Sequence, residues 1–281
     1  IVAISTVSGG SATENGTQTE TITITENESA PTITLSTSTS SVAENSGTIV
    51  TLTVTSSQAA DEDITVTLAS SGTATDGTDY SSVNSSSLTI TTGTTTATKT
   101  FTITDNSIYE GNETIIVSIN TVSGGGAAES ETQTETITIT ENESAPTVSI
   151  DVDGATSASV YDNGSNLTLT ATSTQISDEA ITVVIGTSVG GATEGTDYAV
   201  ISDITIAAGA TTGTAIFNPT ADTVNEGSET ETVSITSVSG ADSTTSGTSS
   251  ISITINEYAL RTGTAFTEGT TAEQDTIKGR S

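Results

Sequence analysis

The sequence contains no cysteine, histidine or tryptophan and only four basic residues. Without cysteine the chain cannot form disulfides or thiolate zinc sites. Without histidine it has no Ser-His or Cys-His arrangement and lacks the commonest general base. Aromatic residues make up 3% of the chain, too few for a platform on which sugars or single-stranded nucleic acids could stack. No apolar run reaches the length of a membrane-spanning helix. These absences argue against an enzyme and against membrane insertion.

Positive charge is also scarce, since 35 Asp and Glu residues face 4 Lys and Arg residues and give a formal net charge of −31. Such a chain has little with which to neutralise the phosphates of nucleic acids, and anionic membranes would repel it. The charge favours cations as partners. Ca²⁺ is the first candidate, because it is a hard ion that prefers oxygen ligands.

An internal repeat divides the chain. The sequence TQTETITITENESAP occurs at residues 17–31 and again at 132–146, and a diverged version, SSISITINEY, occupies residues 249–258. Residues 1–10 match residues 116–125 at the same offset of 115 (116 − 1 and 146 − 31). We therefore predict four segments: the last hairpin of a truncated repeat (1–30), two complete units (31–145 and 146–258), and an unassigned tail or inter-subunit strand (259–281).

Apolar residues alternate with threonine in about seven short segments of each unit. In the first unit Val50, Leu52 and Val54 share one face of a segment, and Gly, Asn, Asp and Ser separate the segments. This period of two, with no sustained period of 3.6, predicts antiparallel β-sandwiches.

Residues 1–30 pose a problem of their own, because two strands alone are marginal in water. We expect Ile22 and Ile24 to lie in a core, so a neighbour has to complete this hairpin. The chain opens at Ile1 in mid-pattern without a signal peptide, and we expect it to be a fragment or a processed product.

Five ordered motifs occur in the complete units. In the first unit they include Gly72–Tyr80 (GTATDGTDY), Val42–Asn45, Asp63–Val66 and Asp105–Glu113 (DNSIYEGNE). They resemble the signature motifs of Calx-beta domains, among them "GTA..G.DY" and "DDD..E..E". The resemblance implies tandem Calx-beta, immunoglobulin-like sandwiches arranged as an extended rod, of the kind found in many large bacterial surface proteins.

The resemblance also implies calcium sites at one tip of each unit. Carried over to this chain, the ligands of the first tip are Glu44, Asp105, Glu110, Glu113, Glu141 and Glu143. Those of the second tip are Asp162, Asp222, Glu226, Glu229 and Glu257. The truncated repeat would contribute Glu26 and Glu28. The family's acidic triplet is reduced here to Asp105-Asn106-Ser107, so we expect few ions and weak sites, with dissociation constants of roughly 10⁻⁴–10⁻³ M.

Solvated loop carboxylates are the alternative to a calcium tip, since a surface this acidic needs no ion to be soluble. For Asp79 and Asp197, each followed by tyrosine, we predict a structural turn in which the carboxylate accepts backbone N–H groups.

Three functional hypotheses remain open. The first is a non-catalytic structural or adhesive segment of an extracellular bacterial surface protein or fibre. Bound Ca²⁺ would stiffen it, and a surface receptor or matrix would be its partner. The second is a filament subunit whose terminal hairpin is completed head-to-tail by an identical subunit. The third is a calcium-sensing binding module.

Overall fold

The computed structural model describes residues 1–25, 27–84, 86–188, 191–222, 224 and 226–258. Regular structure in these residues is β-strand, apart from one 3₁₀ turn at Glu44–Ser46. The predicted all-β fold of tandem sandwiches is thereby confirmed. The predictions for residues 259–281 and for Glu26 concern positions outside the described residues.

The first sandwich packs a four-stranded sheet on a five-stranded sheet. The four-stranded sheet has the order β10-β3-β5-β8, and the five-stranded sheet has the order β4-β11-β9-β6-β7. The strands are β3 (Thr32–Thr37), β4 (Ser41–Ala43), β5 (Ile49–Ser56), β6 (Ile64–Gly72), β7 (Ser87–Ile90), β8 (Thr96–Thr102), β9 (Glu113–Ser123), β10 (Ala128–Glu129) and β11 (Thr134–Thr140). They follow the two terminal strands β1 (Val2–Ala3) and β2 (Thr19–Glu20).

The second sandwich repeats this topology strand for strand, with sheets β19-β12-β14-β17 and β13-β20-β18-β15-β16. Its strands are β12 (Thr147–Val152), β13 (Ser157–Tyr161), β14 (Leu167–Ser173), β15 (Ile181–Thr187), β16 (Ile204–Ile206), β17 (Thr212–Phe217), β18 (Glu229–Ser239), β19 (Thr244–Thr245) and β20 (Ser250–Asn256). Even an irregularity recurs, because β6–β9 and β15–β18 shift register after Thr67 and Val184 respectively.

The period of two produces these cores because successive side chains of a strand point to opposite faces. Val50, Leu52 and Val54 of β5 are fully buried, whereas the threonines between them face outward. Each core also buries a tyrosine from the GTDY motif against a phenylalanine. Tyr80 meets Phe101 edge-on at 5.8 Å between ring centroids, and Tyr198 stacks on Phe217 at 4.8 Å.

One core position carries a glutamate. Glu231 of β18 is fully buried at the position that Ile115 occupies in β9 (231 − 115 = 229 − 113 = 116). Its Oε1 accepts hydrogen bonds from the N–H and hydroxyl of Ser188 at 2.7 and 2.8 Å and from the N–H of Thr232 at 2.9 Å. These donors offset only part of the cost of removing the carboxylate from water, since Oε2 is buried and no donor among the described residues reaches it.

The terminal segment keeps the local geometry of a last hairpin. Gly9-Gly10-Ser11 has φ values of 94°, 58° and 60°, and Gly124-Gly125-Gly126 has 90°, 53° and 63°. After each turn a glutamine N–H donates to a glutamate, Gln18 to Glu14 at 2.7 Å and Gln133 to Glu129 at 2.6 Å. Residues 9–18 therefore keep the turn geometry of residues 124–133.

Ile22 and Ile24 are 68% and 92% exposed, so no core among the described residues covers them, and their place in a core completed by a neighbour stays a prediction. β1 and β2 pair over two residues each and form a two-stranded sheet. Alternation along a strand marks which face is apolar, but it does not supply a second sheet to cover that face.

By its contacts the chain divides into two compact units. The first comprises Ile1–Ser40, Ile49–Thr102 and Ile115–Ile137, and the second comprises Ser41–Thr48, Ile103–Thr114 and the chain from Thr138 onward. The second unit thus includes the loop between β8 and β9. Tyr109 of this loop is 8% exposed and belongs to the hydrophobic core of the second sandwich.

Tyr109 is also held by polar contacts inside the second unit. Its hydroxyl donates to Asp242 Oδ2 at 2.8 Å. Burial, followed by this hydrogen bond and the charge of Asp242, raises the pKa of Tyr109 to about 12. The hydroxyl therefore stays protonated and remains a donor at neutral pH.

Candidate metal sites

The first acidic tip forms where neighbouring strands of one sheet end. β4 runs parallel to β11, so Glu44, directly after β4, lies beside Glu141 and Glu143, which belong to the loop after β11. One carboxylate oxygen from each of the three lies within 4.8 Å of the other two. The sequence separates these groups by about a hundred positions, and the parallel pairing brings them together.

Glu44 is the buried member of this group, with 5% of its surface exposed. Burial, followed by the charge of Glu141, raises its pKa to about 7, and the N–H of Asn106, which donates to Oε1 at 3.3 Å, opposes this only in part. An ionised Glu44 is therefore costly in the absence of a cation.

Backbone donors surround Glu141. Its Oε2 accepts the N–H groups of Glu110 and Gly111 at 2.6 and 2.9 Å, and its Oε1 accepts those of Asn142 and Glu143 at 2.8 and 2.9 Å. Burial alone would raise the pKa of Glu141, but these N–H groups outweigh it and hold the pKa below its usual value.

Glu143 responds in the opposite direction. Burial, followed by its contact with Glu141 and the charge of Asp105, raises the pKa of Glu143. Its Oε2 is buried, and no donor among the described residues reaches it. This oxygen is therefore a buried acceptor without a donor in the described part of the chain.

The remaining predicted residues of the first tip lie on the loop between β8 and β9 and at the start of β9. Carboxylate oxygens of Glu110 and Glu113 lie within 4.8 Å of one another, and Asn106 Nδ2 donates to Glu110 Oε2 at 3.0 Å. Asp105 is exposed, and its carboxylate is outside these groups. The structure thus places Glu44, Glu141 and Glu143 together, and Glu110 close to Glu113.

The second tip encloses a cavity of about 20 Å³, which is room for about one water molecule or ion. All five residues predicted for this tip line it, and so do Asp197 and Thr220. The predicted residues are Asp162, Asp222, Glu226, Glu229 and Glu257. Desolvation and the carboxylates of Asp197 and Asp222 raise the pKa of Glu226. Desolvation and Asp197 likewise raise the pKa of Glu229.

Asp197 is the residue that sequence reasoning assigned to a turn alone. The turn is present, since Asp197 Oδ2 accepts the N–H of Thr193 at 2.5 Å, and Asp79 Oδ2 accepts that of Thr75 at 2.6 Å. However, Asp197 also offers a carboxylate oxygen within 4.8 Å of those of Asp222 and Glu226. The occurrence of this aspartate in the GTDY motif of both units could have pointed to a further role. The turn accounts for only one of its two carboxylate oxygens.

Asp197→Asn should lower the pKa values of Glu226 and Glu229 toward 4.5, because it removes the charge that raises them in addition to desolvation, while its amide oxygen can still accept the Thr193 N–H. A ¹³C NMR titration of the side-chain carboxyls without divalent cations measures this. Asp203→Asn, an exposed position in the same sandwich whose Oδ1 accepts the N–H of Ile185, is the matched control. Equal pKa values in both variants would contradict the assignment of Asp197 to the tip.

Of Glu26 and Glu28, the ligands predicted for the first hairpin, the structure describes Glu28. It lines a cavity of the first sandwich together with Pro31 and residues 58–61.

A family model for the Calx-beta domain matches residues 26–143 and again residues 147–258. The chain belongs to the Calx-beta domain family. These two matches cover most of the sequence, so the chain consists of tandem Calx-beta repeats, and Calx-beta domains are binding and structural modules rather than catalytic ones.

Solved structures of Calx domains and of an S-layer protein are similar to this chain at low identity. The crystal structure of CBD12 from CALX1.2 is 13% identical with a TM-score of 0.36, over 80% of this chain and all of that one. The apo-form Calx CBD1 domain is 19% identical with a TM-score of 0.34, over 40% of this chain and 98% of that one. Domains 4 and 5 of the S-layer protein SbsC are 16% identical with a TM-score of 0.25, over 81% and 98%. No curated protein sequence matches the chain.

The described residues include no helix that is both long and apolar enough to cross a membrane.

Proposed function

We propose that the two acidic tips bind Ca²⁺ and that the bound ions stiffen the tandem Calx-beta repeats. The observation that carries the proposal is the first tip, where a buried glutamate with a pKa of about 7 lies beside Glu143, whose Oε2 is buried without a donor among the described residues. The carboxylates of this tip repel one another when they are ionised. A proton at low pH or a cation at neutral pH would relieve this repulsion.

The donor set fits the chemistry of Ca²⁺. Every candidate ligand is a carboxylate, and Ca²⁺ takes six to eight oxygen ligands, some of them from backbone carbonyls and water. Lys99, on β8, is the one basic side chain in the part of the chain that the structure describes. Neutralising the tips therefore calls for a cation from solution.

Stiffening is proposed because of the loop that carries Glu110. The preceding residue, Tyr109, is packed in the core of the second sandwich. The N–H groups of Glu110 and Gly111 donate to Glu141 Oε2. An ion that fixes Glu141 and Glu110 would hold Tyr109 in that core.

For the biological setting we propose a non-catalytic structural or adhesive segment of an extracellular surface protein, arranged as a rod, with a receptor or matrix as its partner. Tandem repeats with weak calcium sites support this proposal, because sites of roughly 10⁻⁴–10⁻³ M are filled outside cells rather than in the cytosol. A sensor function would need two states with different calcium affinity.

Small-angle X-ray scattering in about 10 mM Ca²⁺ and in chelator tests the stiffening. We expect a larger maximum dimension with Ca²⁺ and the same dimension in both buffers for Glu44→Gln. Mg²⁺ at equal ionic strength controls for screening of the −31 charge. An identical maximum dimension in Ca²⁺, Mg²⁺ and chelator would overturn this part of the proposal.

A second proposal concerns assembly, and exposed apolar side chains favour it. Ile1, Ile22 and Ile24 are 88%, 68% and 92% exposed on a segment that otherwise folds as a last hairpin. We propose that another Calx-beta sandwich, either a further repeat or an identical subunit bound head-to-tail, takes up this segment as its last hairpin.

Light scattering across a concentration series separates the two sources. If identical subunits bind one another, the molar mass rises with concentration, and Ile24→Asp abolishes the rise while Thr23→Asp, its exposed neighbour, does not. A constant monomer mass at millimolar concentration would exclude the identical subunit.

A further inference from the structure

The second sandwich has a socket that holds Ser107–Tyr109, and it lies within the second unit. Tyr109 N–H donates to the carbonyl of Ile176 at 2.8 Å, and Asp178 N–H donates to the carbonyl of Tyr109 at 3.3 Å. Gln175 Nε2 donates to the carbonyl of Ser107 at 2.6 Å. Together with the Tyr109–Asp242 bond, these contacts define the socket as residues 175–178 plus the turn 240–242.

The first sandwich builds the same two loops. Gln58 and Asp61 stand where the second sandwich has Gln175 and Asp178 (175 − 58 = 178 − 61 = 117). The turn Gly240-Ala241-Asp242 has φ values of 96°, 51° and 49°, which match the 90°, 53° and 63° of residues 124–126. The residue after Pro31 or Pro146 pairs in parallel with the strand after the turn in both cases.

In the first sandwich this socket is an open cavity of about 550 Å³. Residues 58–61, Gly125 and Gly126 line it, and so do Ser29–Pro31 of the incoming chain. Gln58 Nε2 donates to the carbonyl of Ser29 at 2.5 Å. Gln58 thus binds the segment Ser29–Pro31, whereas its counterpart Gln175 binds the loop Ser107–Tyr109.

We propose that this cavity is the docking site for the tip loop of the Calx-beta sandwich that residues 1–25 complete. The loop enters as Ser107–Tyr109 does. The backbone N–H of its aromatic residue donates to the carbonyl of Ala59, and the backbone carbonyl of the same residue accepts the N–H of Asp61. The source of the loop rests on the assembly proposal above, whereas the chemistry of the socket does not.

The lining of the cavity predicts a difference between the two sockets. Gly126 stands where Asp242 accepts the tyrosine hydroxyl, and the smaller Ala59 stands where the second sandwich has Ile176. The cavity therefore has more room than the socket of the second sandwich and lacks the carboxylate. It should accept phenylalanine as well as tyrosine, whereas the socket at Asp242 should favour tyrosine.

The test extends the full chain by a second copy of residues 31–115 placed directly before Ile1. That junction restores a complete repeat, because residues 1–31 match residues 116–146 in register. We expect the amide of Asp61 to exchange hydrogen at least about 10-fold more slowly in the extended chain than in the original one. Alanine at the tyrosine of the added loop should abolish this protection, and phenylalanine should retain it.

Protection of the strand amides in the added copy, at the level of Ile49–Ser56, would show that the copy has folded. If hydrogen exchange at the Asp61 amide is then unchanged, the proposal is overturned. If the added copy does not fold, a peptide of residues 103–114 titrated into the original chain decides. NMR shifts at Asp61 and Gly126 that need the peptide's tyrosine support the socket, and no shift at millimolar peptide refutes it. Because the peptide arm needs no completed sandwich, failure of the assembly proposal and failure of the socket are distinguishable.

Discussion

Calcium at about 10 mM raises the melting temperature of the chelator-treated chain by about 10 °C, if the tips bind with dissociation constants of roughly 10⁻⁴–10⁻³ M. A ligand at 10 to 100 times its dissociation constant adds about 1.4–2.7 kcal/mol to the free energy of unfolding. For a domain of about 100 residues, each kcal/mol shifts the melting temperature by roughly 4–8 °C. Differential scanning calorimetry in Ca²⁺ and in chelator measures the shift.

Glu44→Gln provides the sharpest variant for this experiment. It removes the charge of Glu44, and its amide oxygen can still accept the N–H of Asn106. The calcium-induced shift should fall by about half or more. Glu20→Gln changes the net charge equally at an exposed position on β2 and should leave the shift intact. Equal shifts in both variants would remove Glu44 from the site.

Without divalent cations, the free energy of unfolding falls as the pH rises from about 5 to about 7.5. The pKa of Glu44 is about 7 in the folded chain and near 4.5 when unfolded, so between these values the folded state binds a proton that the unfolded state lacks. Stability is then lost with increasing pH. Allowing for access of water to the tip, we expect a loss of about 2 kcal/mol.

The variants test this slope as well. The raised pKa of Glu143 acts in the same direction, and the lowered pKa of Glu141 acts against it. Urea unfolding at several pH values should show a clearly flatter slope for Glu44→Gln than for Glu20→Gln. Because protons and Ca²⁺ compete for the same oxygens, saturating calcium should reverse the sign, so that stability rises with pH. A slope common to both variants would trace the effect to overall charge.

The strands could be predicted from sequence because their alternation records a local fact, namely which face of a strand is buried. Val50, Leu52 and Val54 show this directly, and the duplicated TQTETITITENESAP segment identified the repeats. For Ile22 and Ile24 the same logic marks an apolar face but not what covers it, since a strand carries no information about whether a covering sheet exists.

Sequence reasoning reached the tips through the resemblance to the Calx-beta signature and not through any local rule. Glu44 meets Glu141 because β4 pairs with β11 in parallel, and such a long-range pairing leaves no trace in composition or spacing. Asp197 was missed because a turn explained one of its oxygens.

Tyr109 was not predicted as a core residue at all. It follows Ile108 in an acidic loop, and its partners Ile176 and Asp242 come from two other loops far along the sequence. Only the fold shows that these loops form a socket, and only comparison of the two sandwiches shows that residues 58–61 and 124–126 form a second one.

Equilibrium dialysis of the full chain against Ca²⁺ tests the central claim most directly. After chelation, binding should saturate at one or more ions per tip, with dissociation constants of roughly 10⁻⁴–10⁻³ M. Glu44→Gln should remove the part that belongs to the first tip, and Asp197→Asn should remove that of the second. The contrary result is bound calcium that rises linearly with free Ca²⁺ up to about 10 mM and reaches the same level in Glu44→Gln, Asp197→Asn and Glu20→Gln. That result would show that the tips are solvated acidic loops.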